Sequence, residues 1–169
     1  MAGTAARAVP ARTGQLGNDA WEAVLSAHAV LMKQFAAEDM WTEVSMREYD
    51  VLYTLSKCTG PVRITELHRH VLLSQPALSR LVHRLAGRGL IACLPDPDDG
   101  RAVSVFLTDA GRALQRQVGR RHARSVARAM TAGLSRAELA QLEVISRKLA
   151  GQAATSTAPA RDVSQETSI

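Results

Sequence analysis

One stretch of the chain, residues 74–90, constrains the fold most because it describes a helix with two chemically different faces. Its apolar residues recur at the i, i+3, i+4 and i+7 spacing of a buried helical stripe; they are Leu78, Leu81, Val82 and Leu85. The polar residues that alternate with them are Gln75, Ser79, Arg80, His83 and Arg84. This second stripe offers amide, hydroxyl, imidazole and guanidinium groups and no carboxylate. Such a set suits a helix that enters a DNA major groove and contacts base edges.

Signals for the start and the end of this helix flank it on both sides. Ser74 is a preferred N-cap residue, and Pro76 is tolerated in a first turn. Gly89 follows the last apolar position, where a left-handed residue commonly ends a helix, and Leu90 can supply the accompanying apolar contact. The sequence therefore predicts a helix bounded by Ser74 and Gly89.

Two short strands follow this helix and predict a β-hairpin. Residues 90–94 and 102–107 have the composition and alternation of antiparallel strands. The loop between them, PDPDDGR, ends in Arg101, which we expect to enter the minor groove, where narrow A·T tracts favour a guanidinium. Asp99 is expected to hold the shape of this loop by bonding Arg101 or loop amides. Short helix, turn, two-faced helix and hairpin together describe a winged helix-turn-helix.

The remaining elements are predicted to be helical. A long helix is expected over residues 18–39, and capping boxes at Ser45-Met-Arg-Glu48 and Ser135-Arg-Ala-Glu138 predict the starts of two more. Thr65 is expected to cap a short helix, and Thr108 a long one that reaches about residue 130. The fold class is thus mainly α with six helices and a small β-hairpin wing.

Length and charge fit one DNA-binding domain with tails. The chain has 169 residues and a formal net charge of +5, and residues 61–130 contain 12 Arg against 5 Asp and Glu. Basic charge concentrated on the helix–hairpin segment suits a surface that faces phosphates. Residues 1–17 and 151–169 are small and polar, and we expect both tails to be disordered. With neither a signal peptide nor a transmembrane segment in the sequence, we expect a cytoplasmic protein.

No pattern points to catalysis, a metal or a cofactor. His68 and His70 are two positions apart on a helix and therefore point in different directions. The spacing of the loop aspartates does not match a calcium site. Cys58 and Cys93 form no disulfide framework, and we expect both to be small buried hydrophobic residues. We expect neither an enzyme nor a metal protein.

The chain resembles the MarR family of bacterial transcription regulators. The resemblance rests on LLSQPALSRLVHRLAGRGLI, on DGRAVSVFLTDAG, and on the order of elements over residues 18–150. Members of the family are homodimers, so the resemblance implies a helical body of interlocked first, fifth and sixth helices that carries two winged lobes. It assigns dimerisation to residues 18–44 and 111–150, and DNA binding to residues 45–110.

The resemblance also implies a site and partners. A pseudo-palindromic operator would be bound by Ser74, Gln75, Pro76, Ala77, Ser79, Arg80, His83, Arg84, Asp99 and Arg101. A small, often aromatic or phenolic, effector would release the DNA. Its cavity would lie where the first, second and fifth helices meet the lobe, and the residues here that could line it are Trp21, His28, Met32, Tyr49 and Tyr53. Each of these five can equally be ordinary core or hinge packing.

Three other functions remain open on the sequence alone. A thiol-redox switch could act through Cys58 or Cys93. The winged helix could instead dock a protein partner, or it could bind DNA without regard to sequence. The leading hypothesis is a ligand-responsive, promoter-specific homodimeric repressor.

Overall fold

The structure, a computed structural model, describes residues 11–95 and 102–156. Within these ranges the chain forms six helices and three strands, which confirms the mainly helical winged fold. Their bounds are α1 Ala11–Ala36, α2 Met46–Ser56, β1 Val62–Arg63, α3 Ile64–His68, α4 Gln75–Gly87, β2 Ile91–Pro95, β3 Val103–Leu107, α5 Asp109–Gly133 and α6 Arg136–Ser156. The chain divides into two compact units at Val126.

The first unit has a single hydrophobic core around which the winged helix-turn-helix is built. Helices α2, α3 and α4 contribute fully buried side chains, among them Leu52, Leu67 and Leu78. Val105 of β3 and Leu114 of α5 join the same cluster. The apolar stripe predicted for α4 is buried at all four positions, Leu78, Leu81, Val82 and Leu85. Burial of this stripe fixes which face of α4 is left exposed.

The sheet has three strands rather than the two that the sequence predicted. β2 and β3 form the expected antiparallel hairpin, with Ile91 opposite Leu107 and Pro95 opposite Val103. β1 pairs on the other side of β3, with Val62 opposite Val105. A two-residue strand has no periodicity of its own, and only the distant partner β3 makes it a strand.

Local capping signals located several helix ends correctly. Ser45 and Glu48 form the predicted capping box at the start of α2, and Glu48 Oε2 accepts from the Ser45 backbone N–H at 2.8 Å. Beyond α4, Gly89 has φ of 69°, and Leu90 N donates to Leu85 O at 3.0 Å. This is the Schellman arrangement, in which a left-handed glycine lets the chain leave the helix.

The predicted cap of α3 is wrong. Arg63, not Thr65, is the N-cap residue, and it makes no capping hydrogen bond through its side chain. The reason is the pairing of Val62 and Arg63 with β3, which leads the chain directly from strand into helix. Thr65 therefore lies inside the first turn of α3.

The first and last helices, α1 and α6, extend further than predicted. α1 begins at Ala11 rather than near residue 18, and α6 ends at Ser156 rather than near residue 149. Residues 11–17 and 151–156 are therefore helical, which corrects the disordered tails expected there. Extending an existing helix costs far less than nucleating one, and Gln15 Nε2 adds a hydrogen bond to Asp19 Oδ1 at 2.8 Å.

Helices α1 and α6 both present large apolar side chains to solvent. On α1 these are Leu16, Trp21, Val24, Leu25 and Val30. On α6 they are Leu142, Val144, Ile145 and Leu149. None of the helices in the described ranges is both long and apolar enough to cross a membrane.

Candidate nucleic-acid interface

The exposed face of α4 carries the polar residues that the sequence predicted for DNA contact. Gln75, Ser79, Arg80, His83 and Arg84 are all exposed, whereas the opposite face of the helix is buried in the core. No Asp or Glu lies between Gln75 and Gly87. The face therefore presents hydrogen-bond donors and positive charge without a carboxylate to repel phosphate.

The start of α4 is also open to solvent. Ser74 is the N-cap residue, as predicted, but its side chain makes no capping hydrogen bond. Pro76 lies in the first turn, and Ala77 behind it is half-buried. The exposed hydroxyl of Ser74 and the N–H groups of the first turn together form the kind of helix terminus that binds phosphate.

A short turn fixes α4 relative to α3. His68 of α3 is within hydrogen-bond distance of the carbonyl oxygen of Leu73, 2.8 Å from its Nε2. Leu67 and Leu78 are fully buried in the same cluster. The helix-turn-helix is thus held by a polar contact at the turn and by core packing beneath it.

Glu48 connects the start of α2 to α4. Its Oε1 lies 3.2 Å from Arg84 Nε and 3.6 Å from Arg88 Nη1. Burial acts to raise the pKa of Glu48, but hydrogen bonds from Ser45 and the charges of Arg84 and Arg88 outweigh it, so the pKa is lowered. Glu48 is therefore an ionised, largely buried carboxylate beneath the exposed face of α4. Sequence reasoning found its capping role and missed these ion pairs, because they join residues 36 and 40 positions apart.

The tip of the wing lies outside the described residues. Asp99 and Arg101, which the sequence predicted for wing shape and minor-groove contact, belong to residues 96–101. The strands on either side of this segment, β2 and β3, are described and paired. The described pair nearest to this segment is Pro95 and Val103, which lie opposite each other.

The five effector-cavity candidates do not form one cluster. Trp21 and His28 lie on the exposed surface of α1, and Met32 is half-buried. Tyr49 is buried and Tyr53 is 45% exposed, with their rings stacked at a centroid distance of 6.0 Å. The structure thus brings the two tyrosines together.

An aromatic cluster that the sequence analysis missed surrounds His122 of α5. Its ring centroid lies 5.3 Å from that of Phe35, 5.4 Å from that of Trp41 and 5.5 Å from that of Tyr49. Nδ1 of His122 is buried without a hydrogen-bond partner among the described residues. The sequence did contain a signal for this position. His122 follows Leu114 and Val118 at intervals of four residues, so it lies on the same buried face of α5.

The two cysteines differ from each other in exposure. Cys58 is half-buried at the end of α2, whereas Cys93 on β2 is exposed. The expectation that both are buried is wrong for Cys93. Its place on β2, beyond the buried Ile91, leaves its side chain in contact with solvent. In the described parts of the chain no group of His, Cys, Asp and Glu side chains could hold a metal ion.

A helix-turn-helix with an exposed, carboxylate-free second helix and a β-hairpin wing defines the class of winged helix DNA-binding proteins. Comparison with known proteins agrees. The model of the MarR family matches residues 44–103. The multiple antibiotic resistance protein MarR of Salmonella typhimurium is 31% identical over 107 residues, which cover 63% of this chain and 74% of that protein. The chain therefore belongs to the MarR family of transcription regulators, which are not enzymes.

Solved structures of the family share the fold. An Escherichia coli MarR mutant complexed with operator DNA is 26% identical, covers 78% of this chain and 96% of that one, and superposes with a TM-score of 0.65. The PcaV regulator of Streptomyces coelicolor, in complex with its natural ligand, is 28% identical and covers 90% of this chain and 99% of that one, with a TM-score of 0.59.

Proposed function

We propose that this regulator is a homodimeric repressor that binds a pseudo-palindromic operator and releases it when a small molecule binds. The observation that carries the proposal is the chemistry of α4, whose apolar face is buried and whose exposed face has only donors and neutral polar groups. Action on a bacterial promoter would place the protein in the cytoplasm.

We place α4 in the major groove, where some of its side chains contact bases and others contact phosphates. Arg80 is suited to a bidentate contact with guanine, and Gln75 to one with adenine. Ser79 and His83 supply further donors and acceptors, and Ser74 meets phosphate at the helix start. Arg101 of the wing would extend the contact into the neighbouring minor groove, and Asp99 would hold the shape of the loop that presents it.

Dimerisation is supported by the apolar surfaces of α1 and α6. Trp21 is 61% exposed and Ile145 is 55% exposed, and each is one of several such residues on its helix. Apolar surface of this extent on a water-soluble chain usually marks an interface. Residues 18–44 and 111–150 would then form the dimer, which presents two lobes to successive major grooves.

Ligand control is supported by the relatives. PcaV was crystallised with its natural ligand, and the regulator BpsR of Bordetella bronchiseptica, 25% identical to this chain, is regulated by 6-hydroxynicotinic acid. Among the five candidates Trp21, His28, Met32, Tyr49 and Tyr53, only the two tyrosines lie together, so an aromatic or phenolic effector would bind beside them. Tyr49, buried beside Tyr53, is the candidate that fits this best.

One observation favours a second mode of control. Cys93 is exposed on the strand that leads into the wing, where an oxidised thiol could disturb DNA contact. If a thiol is the switch, oxidant will release wild-type protein from DNA but will not release the C58S/C93S double variant. Equal release of both proteins would exclude a thiol switch.

The proposal is tested by isolating genomic DNA fragments that the purified protein retains and then measuring the affinity of single variants for the recovered sequence. We expect Arg80→Ala to weaken operator binding by about tenfold or more, in keeping with the loss of one bidentate base contact. Arg136→Ala, which removes an exposed arginine from the start of α6, is the matched control and should bind like the wild type. Unchanged operator affinity of the Arg80 variant would contradict the proposal and would favour a winged helix that docks a protein.

A further inference from the structure

Glu48 and Arg84 form an ion pair in which one partner is buried and the other lies on the recognition surface. The Glu48 side chain is 9% exposed and that of Arg84 is 62% exposed. The pair therefore joins the protein interior to the face that we propose contacts DNA. An exposed arginine normally samples many rotamers, whereas Nε of Arg84 lies 3.2 Å from a carboxylate oxygen of Glu48.

Glu48 is itself held in place by Ser45. Its Oε2 accepts from the Ser45 backbone N–H at 2.8 Å and from Ser45 Oγ at 2.9 Å, which leaves Oε1 to face Arg84. Arg88, one turn further along, also approaches Oε1 and donates to the carbonyl oxygen of Glu43. Glu43 and Glu48, before and within the first turn of α2, thus contact Arg84 and Arg88 at the C-terminal end of α4.

Arg80 provides a contrast on the same helix. It lies one turn before Arg84 and is exposed, and no described residue forms an ion pair with it. The two arginines on the exposed face of α4 therefore differ. Arg84 has an ion-pair partner in the described part of the chain, and Arg80 has none there.

We propose that Glu48 is a positioning residue for operator recognition and acts by holding the guanidinium of Arg84 in place before DNA binds. The inference rests on the proposed function. Preorganisation lowers the entropy lost when Arg84 contacts the operator. The negative charge of Glu48 also offsets part of the attraction of Arg84 for any phosphate, so it weakens binding to random DNA. Both effects raise the ratio of specific to non-specific affinity.

The test is the Glu48→Gln variant, because glutamine at this position can still complete a capping box while it loses the charge. We expect its affinity for the operator to fall about tenfold. Its affinity for a random duplex of equal length should stay constant or rise, because a negative charge near the DNA is gone. A purely structural role for Glu48 would lower both affinities together.

Two further variants isolate the pair. Arg84→Lys keeps the positive charge and the whole capping box but lacks the Nε contact, so it should lose the same specificity even if Glu48→Gln folds poorly. Glu138→Gln removes the carboxylate from the other capping box, at the start of α6, and should leave the ratio unchanged.

The outcomes distinguish a failure of the proposed function from a failure of the positioning role of Glu48. A wild-type protein that binds operator and random duplex equally would refute the proposed function itself. A wild type that discriminates, together with Glu48→Gln and Arg84→Lys variants that discriminate equally well, would overturn the positioning role alone. A loss of specificity from Glu48→Gln that persists undiminished in an Arg84→Ala background would also overturn it, because the effect would then not pass through Arg84.

Discussion

Single side chains in this protein owe their properties to neighbours that lie far away in sequence. His122 shows this most clearly, because its imidazole lies among the rings of Phe35, Trp41 and Tyr49 and its Nδ1 is buried without a partner in the described chain. Burial lowers the pKa of His122, against the opposing charges of Asp50 and Glu38. The imidazole is therefore neutral in the folded protein under conditions in which an unfolded chain would begin to protonate it.

This state makes stability depend on pH in a defined direction. As the pH falls through about 6.5, the ordinary pKa of histidine, the unfolded chain takes up a proton that the folded protein does not. The free energy of unfolding should therefore be at its full value above that pH, fall below it, and level off once the lowered pKa of His122 is passed.

Urea unfolding at pH 7.5 and 5.5 measures the effect. His122→Phe keeps an aromatic ring in the cluster and should lose this part of the pH dependence, whereas His70→Phe, at an exposed position, should keep it. An identical pH dependence in the wild type and both variants would show that His122 does not carry the effect.

At the scale of elements, the junction between β3 and α5 depends on the close approach of two backbones. A Cβ placed on Gly111 would lie 1.9 Å from the carbonyl oxygen of Leu90. Thr108 Oγ1 accepts from Gly111 N at 3.1 Å and donates to Gly89 O at 2.7 Å. The first turn of α5 is therefore fixed directly onto the chain that leaves α4.

Gly111→Ala should destabilise the protein by about 2 kcal/mol or more, because the start of α5 would have to move away from Leu90. The same change at Gly133, where a Cβ meets nothing within 4 Å, is the matched control and should have little effect. Urea-denaturation midpoints measure both variants. Similar midpoints for the two would contradict the close contact.

Elements whose signals are local could be predicted from the sequence. Ser45 and Glu48 lie three residues apart and form their capping box from nearby atoms alone, and Gly89 ends α4 by its own backbone preference. β1 could not be predicted, because two residues become a strand only through pairing with β3. The contact between Glu48 and Arg84 was missed for the same reason. At the candidate site, the helical spacing of apolar residues was enough to predict which face of α4 is exposed. The ion pairs of Glu48 beneath that face depend on tertiary packing and could not be predicted.

At the scale of the whole molecule, the exposed apolar residues of α1 and α6 require an explanation that a monomer does not give. If they form a dimer interface, a carboxylate introduced into them would be buried without a partner, which is costly. We expect the Trp21→Glu, Ile145→Glu double variant to sediment as a monomer at micromolar concentrations at which the wild type is a dimer.

Ala23→Glu, which places the same charge on another side of α1, is the control and should remain dimeric. Loss of the dimer should also reduce operator affinity, because two linked half-sites bind far more tightly than one. A wild type that sediments as a monomer, or a double variant that stays dimeric, would contradict this interface.

We propose that this protein recognises a particular DNA sequence through the exposed face of α4. The most direct test is to measure Kd for its recovered operator and for a scrambled duplex of equal length and base composition, at the same salt concentration. We expect the protein to prefer the operator by roughly 10³-fold or more. Equal affinity for the two duplexes would contradict it.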